Sequence, residues 1–195
     1  MPTPSAPRWI TDTEPGHSQW YVDRFRTMAA DGVDLVGEAR LVDAMVGRNS
    51  RILDAGCGPG RVGGHLHEVG HDVIGVDVDP ILIDAAIADH PGPDWRVGDL
   101  AVLDLDTTFD AIVCAGNLLA FVAPNTESLV LGRLKAHLAE GGFIIVGFHI
   151  DKLALDVFDA AVADAGLRLD LRLSTWDVKP WHDDADFAVS ILRAV

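Results

Sequence analysis

The segment Asp54-Ala-Gly-Cys-Gly-Pro-Gly60 constrains this 195-residue chain more than any other. It follows a short apolar run, Ile52-Leu53, and precedes a helical pattern, Arg61–Val69, that Gly70 closes. Glycines 56, 58 and 60 let the main chain turn sharply and approach a ligand with no Cβ in the way. The helix that follows offers unpaired N–H groups at its start. Strand, glycine loop and helix in this order are the mark of α/β sheets, whose ligands sit at the carboxyl ends of parallel strands.

Downstream of this loop, strand and helix patterns alternate. Val73–Val76 reads as a second buried strand ending at Asp77, and Pro80 suits the first turn of a helix over Ile81–Asp89. Trp95–Val97 reads as a third strand, ending at Gly98-Asp99, and Phe109–Cys114 as a fourth, apolar enough for burial on both faces. A helix over Glu127–Leu138 is expected to stop at Glu140-Gly141-Gly142, before a fifth strand at Phe143–Phe148 and a helix at Leu153–Ala165. The tail then changes period. Leu167, Leu169, Leu171 and Leu173 alternate with polar residues, as do Phe187, Val189 and Ile191, and no helix intervenes, so these two strands are expected to pair antiparallel. One doubly wound α/β domain with a terminal ribbon is the expected design.

The N-terminal region reads differently. Residues 1–17, rich in proline, are expected to form a flexible arm ahead of a single domain over 18–195. Within that domain, 18–47 reads as two helical patterns, Gln19–Ala30 and Val33–Val46, separated by Asp31-Gly32, and 48–195 as the core.

Acidic residues stand at three strand ends. Asp77 lies 21 positions beyond Gly56, a spacing that suits a carboxylate accepting hydrogen bonds from a ribose diol, and Asp99 ends the next strand. An adenosine-like ligand follows from this layout. Two such ligands compete, a dinucleotide and S-adenosylmethionine. Arg61 stands where the third glycine of G-x-G-x-x-G belongs, and Asp54 puts negative charge where a pyrophosphate would be repelled but an ammonium welcomed. The reading favours S-adenosylmethionine, with a nicotinamide-dependent oxidoreductase as the weaker alternative.

The ordered motifs Leu53–Gly60, Gly75-Val-Asp-Val-Asp-Pro80, Gly98-Asp-Leu100, Phe109–Asn117 and Leu138–Phe143 resemble those of class I S-adenosylmethionine-dependent methyltransferases. The resemblance runs from about residue 50 to the end, and the set is specific where each motif alone is weak. It implies a Rossmann-like seven-stranded sheet of order 3-2-1-4-5-7-6, strand seven antiparallel, with an N-terminal helical lid. By the same resemblance Asp77 holds the ribose hydroxyls, Asp99 meets the adenine amine, and Leu100 packs by or bonds the ring. Backbone at Ala55, Gly56 and Ala115 would hold the methionine end, with Gly116 and Asn117 nearby. Asp54, Cys57, Gly58, Gly60 and Val78 complete the expected cofactor set, and Tyr21 and Arg26 are the lid candidates, Arg26 for the methionine carboxylate. The implied reaction is in-line methyl transfer that leaves S-adenosylhomocysteine, for which alignment and exclusion of water matter most. Where the acceptor must lose a proton, His149 and Asn117 stand at the correct end of the sheet as candidate catalytic residues.

Charge and composition narrow the partners. Lys and Arg number 15 against 30 Asp and Glu, a formal net charge of −15 that repels phosphate backbones and anionic lipid heads. No nucleic-acid or membrane partner is expected, and a small-molecule acceptor is. Two cysteines, Cys57 and Cys114, make no disulfide framework, and the N-terminus holds no apolar leader, so a cytoplasmic protein is expected. His65, His67 and His71 are not expected to form a metal site, because 65 and 67 point to different helix faces and 71 lies past Gly70. The missing catalytic base leaves a third possibility, a cofactor-binding module without transferase activity.

Overall fold

The computed structural model describes residues 5–195, so the first four residues of the expected arm lie outside the described residues. Seven strands form one sheet of order β3-β2-β1-β4-β5-β7-β6. β1 (Arg51–Ala55), β2 (Asp72–Asp77), β3 (Asp94–Val97), β4 (Phe109–Cys114) and β5 (Leu138–His149) run parallel. β7 (Phe187–Ala194) enters antiparallel between β5 and β6 (Leu167–Leu173).

The apolar strands alternate their side chains between two cores. On one face Leu53, Ile112, Cys114, Ile144 and Val146 pack under α7 (Glu127–Ala136) and α8 (Leu155–Asp164), where Phe148 and Phe158 meet at 4.7 Å. On the other, Ile52, Ala111, Val113 and Ile145 pack against Val62 and Leu66 of α4 (Arg61–Glu68) and Ala39 and Val42 of α3 (Gly37–Met45). α5 (Pro80–Asp89) starts where expected. Asp79 caps it by accepting the Ile81 N–H at 2.9 Å, and Pro80 occupies its first turn.

Three differences from the sequence reading have physical causes. α7 ends at Ala136 rather than Leu138, and Glu140-Gly141-Gly142 lies inside β5 instead of stopping a helix. Gly141 adopts φ +76°, and the β4–β5 register shifts between Phe109 and Ala111, so the strand carries an irregularity that the glycines absorb. From Pro7 onward the expected arm is docked. Residues Arg8–Thr11 form a helical turn, α1, whose Arg8 N–H donates to Val122 O at 3.5 Å beside α6 (Leu118–Phe121). Both short helices are too brief to show a period in sequence.

Trp95 on β3 explains why glycines recur outside the loop. A Cβ at Gly75 would lie 2.2 Å from its ring, and Cβ atoms at Gly60 and Gly63 would lie 3.0 and 2.9 Å away. One indole thus packs across β2, the loop and α4, with Nε1–H donating to His90 O at 2.9 Å. Gly75→Ala is expected to lower the unfolding free energy by about 1–3 kcal/mol, the usual cost of overpacking, measurable as a shift in urea midpoint.

Candidate cofactor cleft

The carboxyl ends of β1, β2, β3 and β4 open into a cleft of about 820 Å³, open mouth included. Its floor is the glycine loop. Gly56 and Cys57 N–H both donate to Val76 O, at 2.8 and 3.1 Å, which fastens the loop to β2. Gly56 has φ +69°, and a Cβ there would reach Leu118 Cδ1 at 2.3 Å, so only a bare backbone fits between loop and α6.

Two aspartates brace the loop. Asp54 Oδ2 accepts the Gly63 N–H at 2.8 Å, and Asp77 Oδ2 accepts the Gly58 N–H at 2.9 Å. Asp77 Oδ1 takes the Asp79 N–H at 3.0 Å. Each Asp77 oxygen therefore carries one backbone donor and keeps a lone pair for a ligand hydroxyl. Burial holds the Asp54 carboxyl up at about 7, against the Gly63 N–H and Arg61, which pull it down. Burial likewise raises Asp77 to about 6, with the Asp79 and Gly58 N–H groups opposing it. Asp99 Oδ1 accepts the Ala101 N–H at 2.9 Å, and its other oxygen accepts no hydrogen bond among the described residues.

Tyr21 of α2 (His17–Ala30) covers the loop. Its ring would lie 3.7 Å from a Cβ on Gly58, and its hydroxyl 3.7 Å from one on Gly116. Desolvation raises the phenol above its ordinary range. Beside it Arg61 donates to Leu35 O and Glu38 Oε2, both at 2.7 Å, under the Phe25 ring.

Most expected site residues converge here. Tyr21, Asp54, Gly56, Cys57, Gly58 and Asp77 line the cleft, as do Val78, Asp99, Leu100, Ala115 and Gly116. Ala55 and Gly60 sit in the same strand and loop but behind the lining, Gly60 being the bare position against Ala86 and Trp95. Cys57 is buried with its thiol pushed up by desolvation, so it acts as a packing residue.

Arg26 departs from the reading. It is exposed, and its Nε donates to Asp89 Oδ2 at 2.8 Å, on the outer side of α2 away from the cleft lining. Arg26→Ala is accordingly expected to leave S-adenosylhomocysteine affinity within about twofold of wild type by titration calorimetry, as for other surface substitutions.

His149 and Asn117 also fall outside the lining. Asn117 adopts φ +63° and accepts the His149 backbone N–H at 2.7 Å, so its amide ties the end of β4 to the end of β5. The exposed His149 ring stands edge-on to Phe187 at 4.8 Å. Of the loop aromatics, Trp176 covers Gly147 and Trp181 packs on the core, a structural use of both indoles. Sequence reasoning missed Pro7, Trp9, Arg61, Leu118, Phe121 and Val122, which also face the cleft. Proline-rich context hid the first two, and the failed glycine match drew attention to Arg61 only as a mismatch.

A doubly wound sheet with an antiparallel seventh strand and this cleft defines a nucleoside-binding Rossmann-like domain. A family model described as a methyltransferase domain matches residues 52–142. The crystal structure of a TehB-like SAM-dependent methyltransferase from Corynebacterium glutamicum is 42% identical, with TM-score 0.89 over 93% of this chain and 100% of that one. The chain belongs to the S-adenosylmethionine-dependent methyltransferases, and S-adenosylmethionine is the family's cofactor. Among curated relatives, magnesium-protoporphyrin O-methyltransferase of Rhodobacter capsulatus is 34% identical over 128 residues, 61% of this chain and 53% of that protein. The 18S rRNA (guanine-N(7))-methyltransferase of Mus musculus is 39% identical over 54 residues, 28% of this chain and 19% of that protein. The match thus spans about half, or less, of these curated relatives.

The residues present fit the cofactor. Asp77 offers two open lone pairs to a diol, Asp99 keeps one uncommitted oxygen, and the bare Gly56 cradle admits a close main-chain approach.

Proposed function

We propose that this chain transfers the methyl group of S-adenosylmethionine to a small molecule. The observation that carries it is the convergence of Asp54, Asp77, Asp99 and the glycine loop on one cleft. In this reading Asp77 grips the ribose hydroxyls, and Asp99 and Leu100 meet the adenine. Gly56 and Ala115 receive the methionine end, where Arg61 takes the place expected for Arg26 as the nearby cation. When bound, the cofactor supplies a methyl on a sulfonium, which an acceptor lone pair displaces in line.

The protein's part is alignment and exclusion of water. Within residues 18–47, the expected lid, helix α2 covers the cleft, with Tyr21 over the sulfur end, while α3 packs Ala39 and Val42 into the core. Asn117 is a positioning residue that fixes the β4 tip against β5 through the His149 N–H.

A net charge of −15 supports a small-molecule acceptor over RNA, despite the rRNA enzyme among the relatives, whose match covers only 28% of the chain. No helix among the described residues is long and apolar enough to cross a membrane. The test is incubation with methyl-labelled S-adenosylmethionine and a cell extract, followed by fractionation. Label in the small-molecule fraction supports the reading, and label confined to RNA or protein refutes it. Tight cofactor binding with no label anywhere returns the non-catalytic module.

A further inference from the structure

The N-terminal turn forms part of the wall of the cleft. Pro7 and Trp9 line the cleft beside groups from β2 and β4. On the β2 side, Trp9 Nε1–H donates to Asp79 Oδ2 at 2.8 Å, and the Ser18 hydroxyl donates to the same oxygen. The Asp79 backbone N–H in turn donates to Asp77 Oδ1 at 3.0 Å. On the β4 side, Arg8 donates to Val122 O and, through its guanidinium, to Ala120 O at 3.4 Å. The Trp9 ring meets Phe121 edge-on at 5.6 Å, and Tyr21 and His17 at 5.3 and 4.9 Å.

Residues Pro7–Thr11 therefore bridge the two sides of the cleft. We infer that this strap retains the bound nucleoside, with Trp9 as a positioning residue that acts through Asp79 on the ribose-binding carboxylate Asp77. The inference rests on the cofactor-site reading above. Two features favour retention over mere packing. Trp9 is half-buried and faces the cleft, where a core indole would be enclosed. Its N–H is spent on Asp79, whose own main-chain N–H bonds Asp77 Oδ1. Without the strap, the Asp79 carboxylate keeps only the Ser18 hydroxyl and its own helix cap as partners among the described residues.

The test follows dissociation of S-adenosylhomocysteine from the full-length chain by displacement kinetics. Trp9→Ala is expected to speed dissociation by about tenfold, the order of one lost charge-assisted hydrogen bond with its aromatic cover. Trp9→Phe, which keeps the ring contacts and loses the N–H, is expected to fall between. Unfolding temperature without ligand is expected to stay within a few degrees for both, which separates retention from general stability. Hydrogen exchange on the wild type provides a reading free of mutation, since amides of residues 5–12 are expected to gain protection when S-adenosylhomocysteine is added. A dissociation rate within twofold of wild type in Trp9→Ala, or unaltered exchange over 5–12, overturns the strap alone. Failure of the wild type to bind S-adenosylhomocysteine overturns the cofactor-site reading and the strap with it.

Discussion

Asp77→Ala is expected to weaken S-adenosylhomocysteine binding by ~1.5–3 kcal/mol, the scale of hydrogen bonds to a charged group, or roughly 10- to 150-fold in Kd. The loss has two parts. The ribose hydroxyls lose their acceptor, and the Gly58 and Asp79 N–H groups lose theirs, so the glycine loop relaxes from β2. Asp77→Asn keeps one side-chain oxygen and the volume of the carboxylate, and is expected to lose less. Titration calorimetry on both variants checks the order, and an unchanged Kd in the alanine variant refutes the ribose role.

The second large effect is on stability against pH. Asp54 stands at about 7 and Asp77 at about 6 in the folded chain, against about 3.9 for an unfolded aspartate. Between those values the folded state holds more protons than the unfolded one, so stability falls as pH rises. The contribution is complete below about pH 4 and is lost as pH climbs through 6 and 7, on the order of several kcal/mol for the two together. Asp34, held at about 2 by Arg40 and the Val36 N–H, acts in the opposite sense at lower pH, but it is fully exposed. Urea unfolding of the ligand-free protein is therefore expected to show a higher midpoint at pH 5 than at pH 8. Asp54→Asn is expected to flatten that slope. A midpoint that rises from pH 5 to pH 8 contradicts the buried-carboxylate account.

What the sequence reveals follows from which interactions are local. Four of the five parallel strands announce themselves by an apolar run and alternation marks β6 and β7, whereas β3, Asp94-Trp-Arg-Val97, carries two charges in four residues; the strand order and the antiparallel insertion come from the family resemblance. Asp77 and Asp99 are legible because a strand end and a loop spacing fix their direction. Arg26 and Arg61 show the limit. Both are arginines near a glycine or lid motif, and only the long-range pairings, Arg26 with Asp89 and Arg61 with Glu38, decide which one faces the cleft. Trp9 illustrates the same point more sharply. Nothing periodic surrounds it, and its meaning lies in an oxygen 70 positions away. Asn117 suggests chemistry from sequence because it follows β4; the structure adds that its amide, at positive φ, accepts the His149 N–H and joins β4 to β5.

The placement of β7 has a consequence for biosynthesis. β6 is made first but touches the rest of the sheet only through β7, which pairs with β5 along Ile144–His149 and with β6 along Leu167–Leu173. On a ribosome emitting the chain N-terminus first, β6 can lean on α8, where Arg172 meets Asp159 at 3.2 Å, but has no strand partner until Phe187–Ala194 has cleared the exit tunnel. Nascent chains stalled before that point would carry a leucine-rich strand with an unpaired edge, a target for chaperones that the completed sheet no longer presents.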